Sequence, residues 1–263
     1  MSNGVGCDNS RSLRPGIDRA KPLACRRLES GAPKGMRPED RKLLDATAFA
    51  RAIGPQTTER LVRGAFVQAL PRDTVLFLEG DMPEFVHLVL SGRVSLDASD
   101  ARGRSTIVEI FRDGQIFILA AAVLQKSYLM NARTLAETRI LLIPAGPFRR
   151  LLDDDPRLAR ALVDQLAAYW RLLVRQIKDL KLRSASERLA AYLLMHADTR
   201  RKSDAFRLSE ELRVVAARLG ITPESLSRAF VALRPFGVAS RGRSVVVNDT
   251  AALRALCGFD EME

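Results

Sequence analysis

Ser209-Glu-Glu-Leu-Arg-Val-Val-Ala-Ala-Arg-Leu-Gly-Ile-Thr-Pro-Glu-Ser-Leu-Ser-Arg-Ala-Phe230 is the stretch that decides the fold of the C-terminal part of this chain. It predicts two short helices joined at Gly220, because glycine readily takes the left-handed conformation that ends a helix. Ser209 is the predicted N-cap of the first helix, followed by two glutamates that suit the positive end of the helix dipole. Thr222 is the predicted N-cap of the second helix, and Pro223 suits its first turn.

The two predicted helices have an apolar side for packing and a polar side for contact. The predicted buried positions are Leu212, Val215, Ala216, Leu219, Leu226, Phe230 and Leu233. Their spacing around the glycine matches the helix-turn-helix pattern. The predicted DNA-contacting positions near the start of the second helix are Thr222, Glu224, Ser225, Ser227 and Arg228. Arginine is the usual bidentate donor to guanine, and glutamate can accept from cytosine N4. The structural alternative is a helical hairpin with a solvated polar face.

A β-hairpin with a basic turn is predicted just downstream, over residues 237–247. Its turn holds Arg241, Gly242 and Arg243. Beside a helix-turn-helix such a hairpin is a wing, and the two arginines are predicted to contact the phosphate backbone without reading sequence. Taken alone, the same residues would also suit any surface turn.

Short β-rich runs separated by glycines occupy the middle of the chain. Glycines at positions 80, 92, 103 and 114 lie 12, 11 and 11 residues apart. This rhythm of turns is typical of a compact antiparallel sandwich or barrel. The predicted strands are Thr74–Leu78, Phe85–Leu90, Val94–Leu96, Thr106–Phe111 and Arg139–Ile143.

A long helix is predicted from Pro156 to about Leu182, after a run of three aspartates that suits a helix start. Within it, apolar residues recur at intervals of 4, 3, 4, 4 and 3, which indicates a coiled-coil seam and a homodimer. The predicted interface residues are Leu162, Leu166, Tyr169, Leu173, Ile177 and Leu180. The alternative is that this seam packs on the chain's own β domain. A second helix is predicted from Ser184 to Ala197.

These patterns predict an α+β chain made of four segments. Residues 1–38 lack apolar periodicity and are predicted to be a disordered arm, or an over-long start with Met36 as the true first residue. Residues 39–152 are the predicted β-roll effector domain. Residues 153–182 are the predicted dimerisation helix, and residues 183–263 are the predicted winged helix-turn-helix domain.

Composition sets the class of partner. The formal net charge of +11 suits a polyanion, because lysine and arginine replace the counterions condensed on DNA.

Apolar runs such as Ile116 to Leu124 are shorter than the roughly 20 residues of a membrane helix, so no membrane partner is expected. The polar first ten residues lack the core of a secretory signal, which predicts a cytoplasmic protein. Cys7, Cys25 and Cys257 fit reduced thiols.

A β-roll, a long helix and a winged helix-turn-helix in this order resemble the Crp/Fnr superfamily of transcription regulators. The resemblance spans roughly residues 42–250 and is carried by Phe85-Val-His-Leu-Val-Leu-Ser-Gly-Arg-Val94, Asp113-Gly114 and Glu224-Ser-Leu-Ser-Arg228. The last motif is similar to the Glu-x-x-Ser-Arg form of the Fnr branch, since Pro223 stands where the cAMP receptor protein has its first arginine. The resemblance implies a dimer on a palindromic TTGAT-type DNA site, with RNA polymerase as a further partner.

The resemblance also locates the effector segment after Gly114. Cyclic nucleotide binding in this family needs a glutamate for the ribose and an Arg-Ser/Thr pair for the phosphate. Those positions fall on Leu119 and on Tyr128-Leu129. Since a buried phosphate needs paired donors, neither cAMP nor cGMP is expected to bind. Two interpretations of the segment remain: a pocket for a small apolar ligand lined by Phe117, Leu119, Tyr128 and Leu129, or plain core.

No cofactor is predicted. An iron-sulfur site of the Fnr kind needs clustered thiols, whereas Cys7 and Cys25 are 18 residues apart. Haem would need His87 or His196 as a ligand, and both are expected to be ordinary side chains.

The chain has no phosphate-binding glycine loop with lysine and no Gly-x-Ser-x-Gly, which argues against an enzyme. The alternatives are a cyclic-nucleotide-responsive or haem/gas-responsive regulator of the same fold, or a ligand-binding module that acts by protein contact.

Overall fold

A computed structural model of the protein describes residues 36–100, 105–197 and 204–258. The described chain holds a β-roll, a long helix and a helix-rich domain with a three-stranded sheet, in this order. The α+β class predicted from sequence is therefore confirmed. The predicted arm lies almost wholly outside the described residues, and so does the turn at Gly103.

Eight strands of the described chain form the β-roll. They are β1 (Phe66–Leu70), β2 (Val75–Phe77), β3 (Phe85–Ser91), β4 (Arg93–Ser99), β5 (Ser105–Arg112), β6 (Ile116–Phe117), β7 (Asn131–Thr134) and β8 (Thr138–Pro144). The pairings are antiparallel and give two four-stranded sheets, with the orders β1-β8-β3-β6 and β2-β7-β4-β5. The five predicted strands all occur, with ends that differ by at most three residues.

Gly92 makes the tight turn from β3 to β4. Its φ is +104°, a conformation that other residues rarely adopt. A Cβ at this position would lie 2.5 Å from the carbonyl oxygen of Glu137 and 2.7 Å from the Cα of Thr138. Its N–H donates to the Asp113 carboxylate at 2.7 Å. A side chain at residue 92 would therefore clash with the backbone of residues 137 and 138.

Four described helices pack around the roll, and sequence periodicity predicted none of them. They are α1 (Pro38–Asp45), α2 (Ala48–Leu61, kinked at Gly54), α3 (Leu119–Leu124) and α4 (Ala145–Asp154). Leu44 of α1 and Phe148 of α4 belong to the apolar core beneath β3 and β8. The buried Asp40 accepts from Arg139 of β8, with Nε 2.8 Å from Oδ1, and this pair holds α1 on the sheet.

The long helix α5 spans Pro156–Leu182, as predicted. It begins at Asp155, whose carboxylate accepts from the backbone N–H groups of Arg157 and Leu158. A hydrogen bond from the Thr57 hydroxyl is the main cause that lowers the pKa of Asp155. No helix among the described residues, the 27-residue α5 included, has the length and apolar content to cross a membrane.

The C-terminal domain follows α5 after a break of two residues. Its elements are α6 (Ala185–Leu194), β9 (Asp204–Arg207), α7 (Leu212–Arg218), α8 (Pro223–Ala232), a short 3-10 helix (Arg234–Phe236), β10 (Val238–Arg241), β11 (Ser244–Val247) and α9 (Thr250–Cys257). The three strands form one antiparallel sheet of order β10-β11-β9. The helices enclose a separate apolar core that includes Leu189, Val215 and Leu253.

The first helix of the helix-turn-helix starts two residues later than predicted. Ser209 does not cap it: α7 begins at Leu212, and Glu211 precedes it without a side-chain cap. The Ser209 hydroxyl instead donates to the Glu210 carboxylate at 2.6 Å. Glu210 is buried and pairs with Arg112 of the roll. This long-range ion pair holds residues 209–210 outside the helix, and no local sequence signal could show it.

Candidate nucleic-acid interface

Helix α8 presents a polar surface at its N-terminal end. Thr222 caps the helix, and its hydroxyl accepts from the N–H of Ser225 at 3.2 Å. Thr222, Glu224, Ser227 and Arg228 are exposed, and Ser225 is half-buried. The predicted contact residues of this helix therefore lie together on one accessible end of α8.

The opposite side of α8 anchors it in the C-terminal core. Leu226, Ala229 and Leu233 are buried there, and Phe230 packs against the same cluster. The turn before α8 passes through Gly220, whose φ is +65°. Because these buried residues fix the orientation of α8, its polar end points in one direction relative to the C-terminal domain.

Hydrogen bonds between neighbours order the polar end of α8. Arg228 Nη2 donates to the Ser225 hydroxyl oxygen at 3.0 Å, and the Ser227 hydroxyl donates to the Pro223 carbonyl at 3.1 Å. Glu224 has a lowered pKa, chiefly through a hydrogen bond from its own backbone N–H and then one from Thr222. The surface thus offers a charged acceptor beside a charged donor, which suits hydrogen bonding to base edges.

The wing is the hairpin of β10 and β11, with Gly242 at its turn in a positive-φ conformation. Arg241 is exposed at the tip. Arg243 is half-buried, and its Nη1 lies 3.5 Å from the carbonyl oxygen of Ser209. The two arginines predicted to contact phosphates therefore differ, because only Arg241 projects from the hairpin into solvent.

The exposed apolar seam on α5 differs at two positions from the seam predicted from sequence. Leu162 is 3% exposed within the roll core, and Tyr169 packs on Phe111 with ring centroids 5.4 Å apart. Two of the six predicted interface residues, Leu162 and Tyr169, therefore pack on the chain's own roll. For these two residues the prediction of a dimer contact is wrong. Six of the exposed apolar residues repeat at intervals of 3, 4, 3, 4 and 3, and these are Val163, Leu166, Trp170, Leu173, Ile177 and Leu180; Val174 and Leu182 are exposed as well.

The interior of the roll is filled by aromatic rings. Phe77 stacks on Tyr128 at 3.8 Å between centroids, and Phe117 stacks on Phe111 at 4.9 Å. His87 lies between Phe77 and Phe117, at 5.4 and 5.1 Å. Burial lowers the pKa of His87 to about 3, so its ring is neutral at physiological pH.

The four residues predicted to line an effector pocket do not come together around one cavity. Phe117 and Tyr128 lie in the aromatic core, whereas Leu119 belongs to the core cluster on the α1 side of the roll. Leu129 is 81% exposed, so it forms no pocket wall.

The histidines offer no obvious metal centre. Nδ1 of His196 lies 2.9 Å from the Tyr192 carbonyl oxygen, within hydrogen-bond distance, and its ring is tilted against the Tyr192 ring with centroids 4.4 Å apart. Nδ1 of His87 is buried and has no hydrogen-bond partner within the described chain. Among the residues that the structure describes, no three His, Cys, Asp or Glu side chains are grouped as metal ligands would be.

A β-roll joined by a long helix to a domain with an exposed, capped recognition helix defines a DNA-binding transcription regulator. The family model described as "Cyclic nucleotide-binding domain" matches residues 67–155, and the "Crp-like helix-turn-helix domain" matches residues 187–256. The chain belongs to the Crp/Fnr superfamily of transcription regulators, which confirms the resemblance drawn from sequence.

Two relatives and one solved structure each match more than 70% of the chain. The CRP-like cAMP-activated global transcriptional regulator of Mycobacterium tuberculosis is 21% identical over 217 residues, covering 81% of this chain and 97% of that protein. Transcriptional activator protein anr of Pseudomonas aeruginosa is 26% identical over 201 residues, covering 72% and 79%. The fold is similar to that of FixK2 from Bradyrhizobium japonicum, with a TM-score of 0.61 and 24% identity over 73% of this chain and 96% of that one.

Proposed function

We propose that this protein is a homodimeric regulator that reads a palindromic TTGAT-type site through α8 and does not respond to cAMP. The observation that carries the proposal is the two-sided geometry of α8. Its apolar side is fixed in the core, and Glu224, Ser227 and Arg228 are exposed at its N-terminal end. That is the arrangement in which a recognition helix meets base edges in the major groove. We also propose RNA polymerase as a further partner and the cytoplasm as the location of the protein.

The dimer is proposed from the seam on α5. Six apolar residues at heptad spacing stand 39–69% exposed on a helix whose other side is covered by the roll. Large apolar residues repeated on one face of a helix indicate a partner surface, and heptad spacing suits a second copy of the same helix. A twofold dimer would present two copies of α8 to successive major grooves about 34 Å apart, which calls for a palindrome.

Each predicted segment has a role in this proposal. Residues 39–152 form the effector domain, residues 153–182 form the dimerisation helix, and residues 183–263 form the DNA-binding domain. TTGAT is proposed as the half-site because Glu224, Ser227 and Arg228 make up the Glu-x-x-Ser-Arg pattern of the Fnr branch.

Independence of cAMP is proposed from the contents of the roll. The positions that would hold the cyclic phosphate are a tyrosine stacked on Phe77 and an exposed leucine. The position for the ribose is the buried Leu119. A phosphate in that space would lose its hydration without gaining donors. Calorimetry at millimolar cAMP is expected to show no binding heat, and saturable binding would overturn this part of the proposal.

Replacing Arg228 with alanine is expected to weaken binding to a TTGAT palindrome by about 1–3 kcal/mol and to relax specificity at one base pair. The reason is the loss of an exposed guanidinium that can bond a guanine in two places. Fluorescence anisotropy with the palindrome, a set of single-base variants and a scrambled duplex measures both effects.

Arg241→Ala at the wing tip is the matched control. It is expected to weaken the palindrome and the scrambled duplex alike, because phosphate contacts carry no sequence information. Equal affinities of wild type and Arg228→Ala for every duplex would contradict the assignment of α8 as the recognition helix.

A further inference from the structure

A polar contact joins the β-roll to the helix-turn-helix (HTH) of the same chain, and we call it the roll–HTH contact. Its bonds link residues far apart in the sequence, such as Arg112 with Glu210 and Arg72 with Glu211. Its members are Arg72, Arg93, Thr106, Glu109 and Arg112 on the roll side and Ser209, Glu210, Glu211, Ala217 and Arg218 on the HTH side.

Glu109 lies where three parts of the chain meet. It belongs to β5, and its side chain is 9% exposed. Its Oε2 accepts from Nε2 of Gln176 on α5 at 3.0 Å. Its Oε1 lies 3.4 Å from Nη2 of Arg218 at the end of α7, and it also accepts from the backbone N–H of Ile110 at 2.8 Å. One carboxylate therefore connects the roll, the long helix and the helix-turn-helix.

Glu210 makes the reverse connection, from the DNA-binding domain to the roll. Its side chain is 1% exposed and pairs with Arg112 of β5. It also accepts from the Tyr192 hydroxyl at 3.1 Å and from the Ser209 hydroxyl at 2.6 Å. Burial alone would raise the pKa of Glu210, but the hydrogen bond from Ser209 and the charge of Arg112 lower it to about 2. The carboxylate is therefore charged at neutral pH and depends on its partners.

Two further bonds end on backbone carbonyls. Arg93 Nη1 donates to the carbonyl of Ser209 at 3.0 Å, and the Thr106 hydroxyl donates to the carbonyl of Ala217 at 2.9 Å. The Arg72–Glu211 pair is largely exposed, and such pairs contribute little. The strength of the roll–HTH contact therefore lies in its two buried carboxylates and in these backbone bonds.

The covalent link between the two parts is short and not helical. Arg183 and Ser184 are extended and separate α5 from α6. Rotation about their backbone bonds would swing α8 relative to α5. Because a buried carboxylate without its partner is strongly unfavourable, the roll–HTH contact favours one orientation out of those that the link allows.

We propose that Glu109 and Glu210 are positioning residues for DNA recognition, which clamp the helix-turn-helix to the roll and to α5. In the dimer this clamp sets the distance and angle between the two copies of α8, so that only one spacing of the half-sites fits. This statement about DNA rests on the proposed function. The clamp itself can be measured without DNA.

The DNA test uses palindromes whose half-sites are moved together or apart by one or two base pairs. Each base pair shifts a half-site by about 3.4 Å and rotates it by about 35°. Wild type is expected to prefer one spacing by about tenfold or more, and Arg112→Ala is expected to reduce that preference to about threefold or less. Arg112 is 40% exposed, so its replacement should leave the fold intact.

Two matched variants show whether charge at this place is responsible. Arg112→Lys keeps the charge and is expected to keep most of the spacing preference. Arg51→Ala removes an exposed arginine on α2, away from the roll–HTH contact, and is expected to behave as wild type. A purely structural role would lower affinity at all spacings alike. Equal spacing preference in wild type and Arg112→Ala would overturn the proposal.

The orientation test measures distances by double electron–electron resonance in the full chain without DNA. Spin labels are placed at Arg63→Cys on the roll and Ala251→Cys on α9, both exposed, after replacement of the three native cysteines. Labelled chain is diluted with unlabelled chain. Wild type is expected to give one narrow distance, and Arg112→Ala and Glu109→Ala are expected to give broad distributions. Narrow, unchanged distributions would refute the clamp, whereas failure of wild type to bind any duplex would refute only the proposed function.

Discussion

Replacing Ile177 with lysine is expected to turn the proposed dimer into a monomer and to lower affinity for the proposed palindrome by about 10²–10⁴-fold. Ile177 is 51% exposed in the C-terminal part of the α5 seam, so in the proposed dimer each copy would face its counterpart across the twofold axis. Burying two like charges there without partners is strongly unfavourable. Once the dimer is lost, the two half-sites are bound separately, and the gain from binding both at once disappears.

Sedimentation equilibrium and anisotropy with the palindrome measure the two effects of this change. Leu43→Lys is the matched control, since it puts the same charge on an exposed apolar position of α1, outside the seam. It is expected to leave both mass and affinity unchanged. A dimeric Ile177→Lys protein with wild-type affinity would show that the chains associate through a different surface.

His87 is expected to make the folded state sensitive to acid. Its pKa is about 3 in the folded protein because of burial, whereas an unfolded histidine has a pKa near 6.5. Below about pH 6.5 the unfolded chain binds a proton that the folded chain does not, so stability is lost as the pH falls toward 3. The loss from this single group is about 1.4 kcal/mol per pH unit within that window.

Urea unfolding of wild type and His87→Phe at half-unit steps from pH 7 to pH 4 measures this loss. Phenylalanine keeps an aromatic ring between Phe77 and Phe117 but cannot bind a proton. The free energy of unfolding of the variant is therefore expected to rise steadily relative to that of wild type as the pH decreases. A constant difference between wild type and His87→Phe across the range would mean that residue 87 accepts a proton in the folded state.

Sequence patterns predicted the parts of the fold that depend on neighbouring residues. The cap at Thr222, the turn at Gly220 and the extent of α5 follow from contacts within a few positions of the chain. The glycine rhythm and the β-rich runs predicted five of the eight described strands of the roll, because each tight turn needs a particular backbone conformation at a local position. The outward direction of Glu224 and Arg228 followed from the same helical spacing.

Features that depend on distant residues could not be predicted in this way. Helix α5 carries apolar residues on two adjacent stripes, and periodicity does not show which stripe meets the roll. Leu162 and Tyr169 turned out to face inward, and Val163 and Trp170 lie on the exposed seam in their place. Likewise, the later start of α7 depends on Arg112, which is 98 positions away from Glu210.

The corner between α5 and α6 restricts how this chain can change shape. Ser184 and Glu187 form a reciprocal capping box there, in which each side chain bonds the backbone N–H of the other. Joining the two helices into a single straight rod would sacrifice both bonds and force the corner into helical geometry. The C-terminal domain can therefore change its orientation relative to α5 more easily by rotation at this fixed corner than by straightening the corner into a continuous helix.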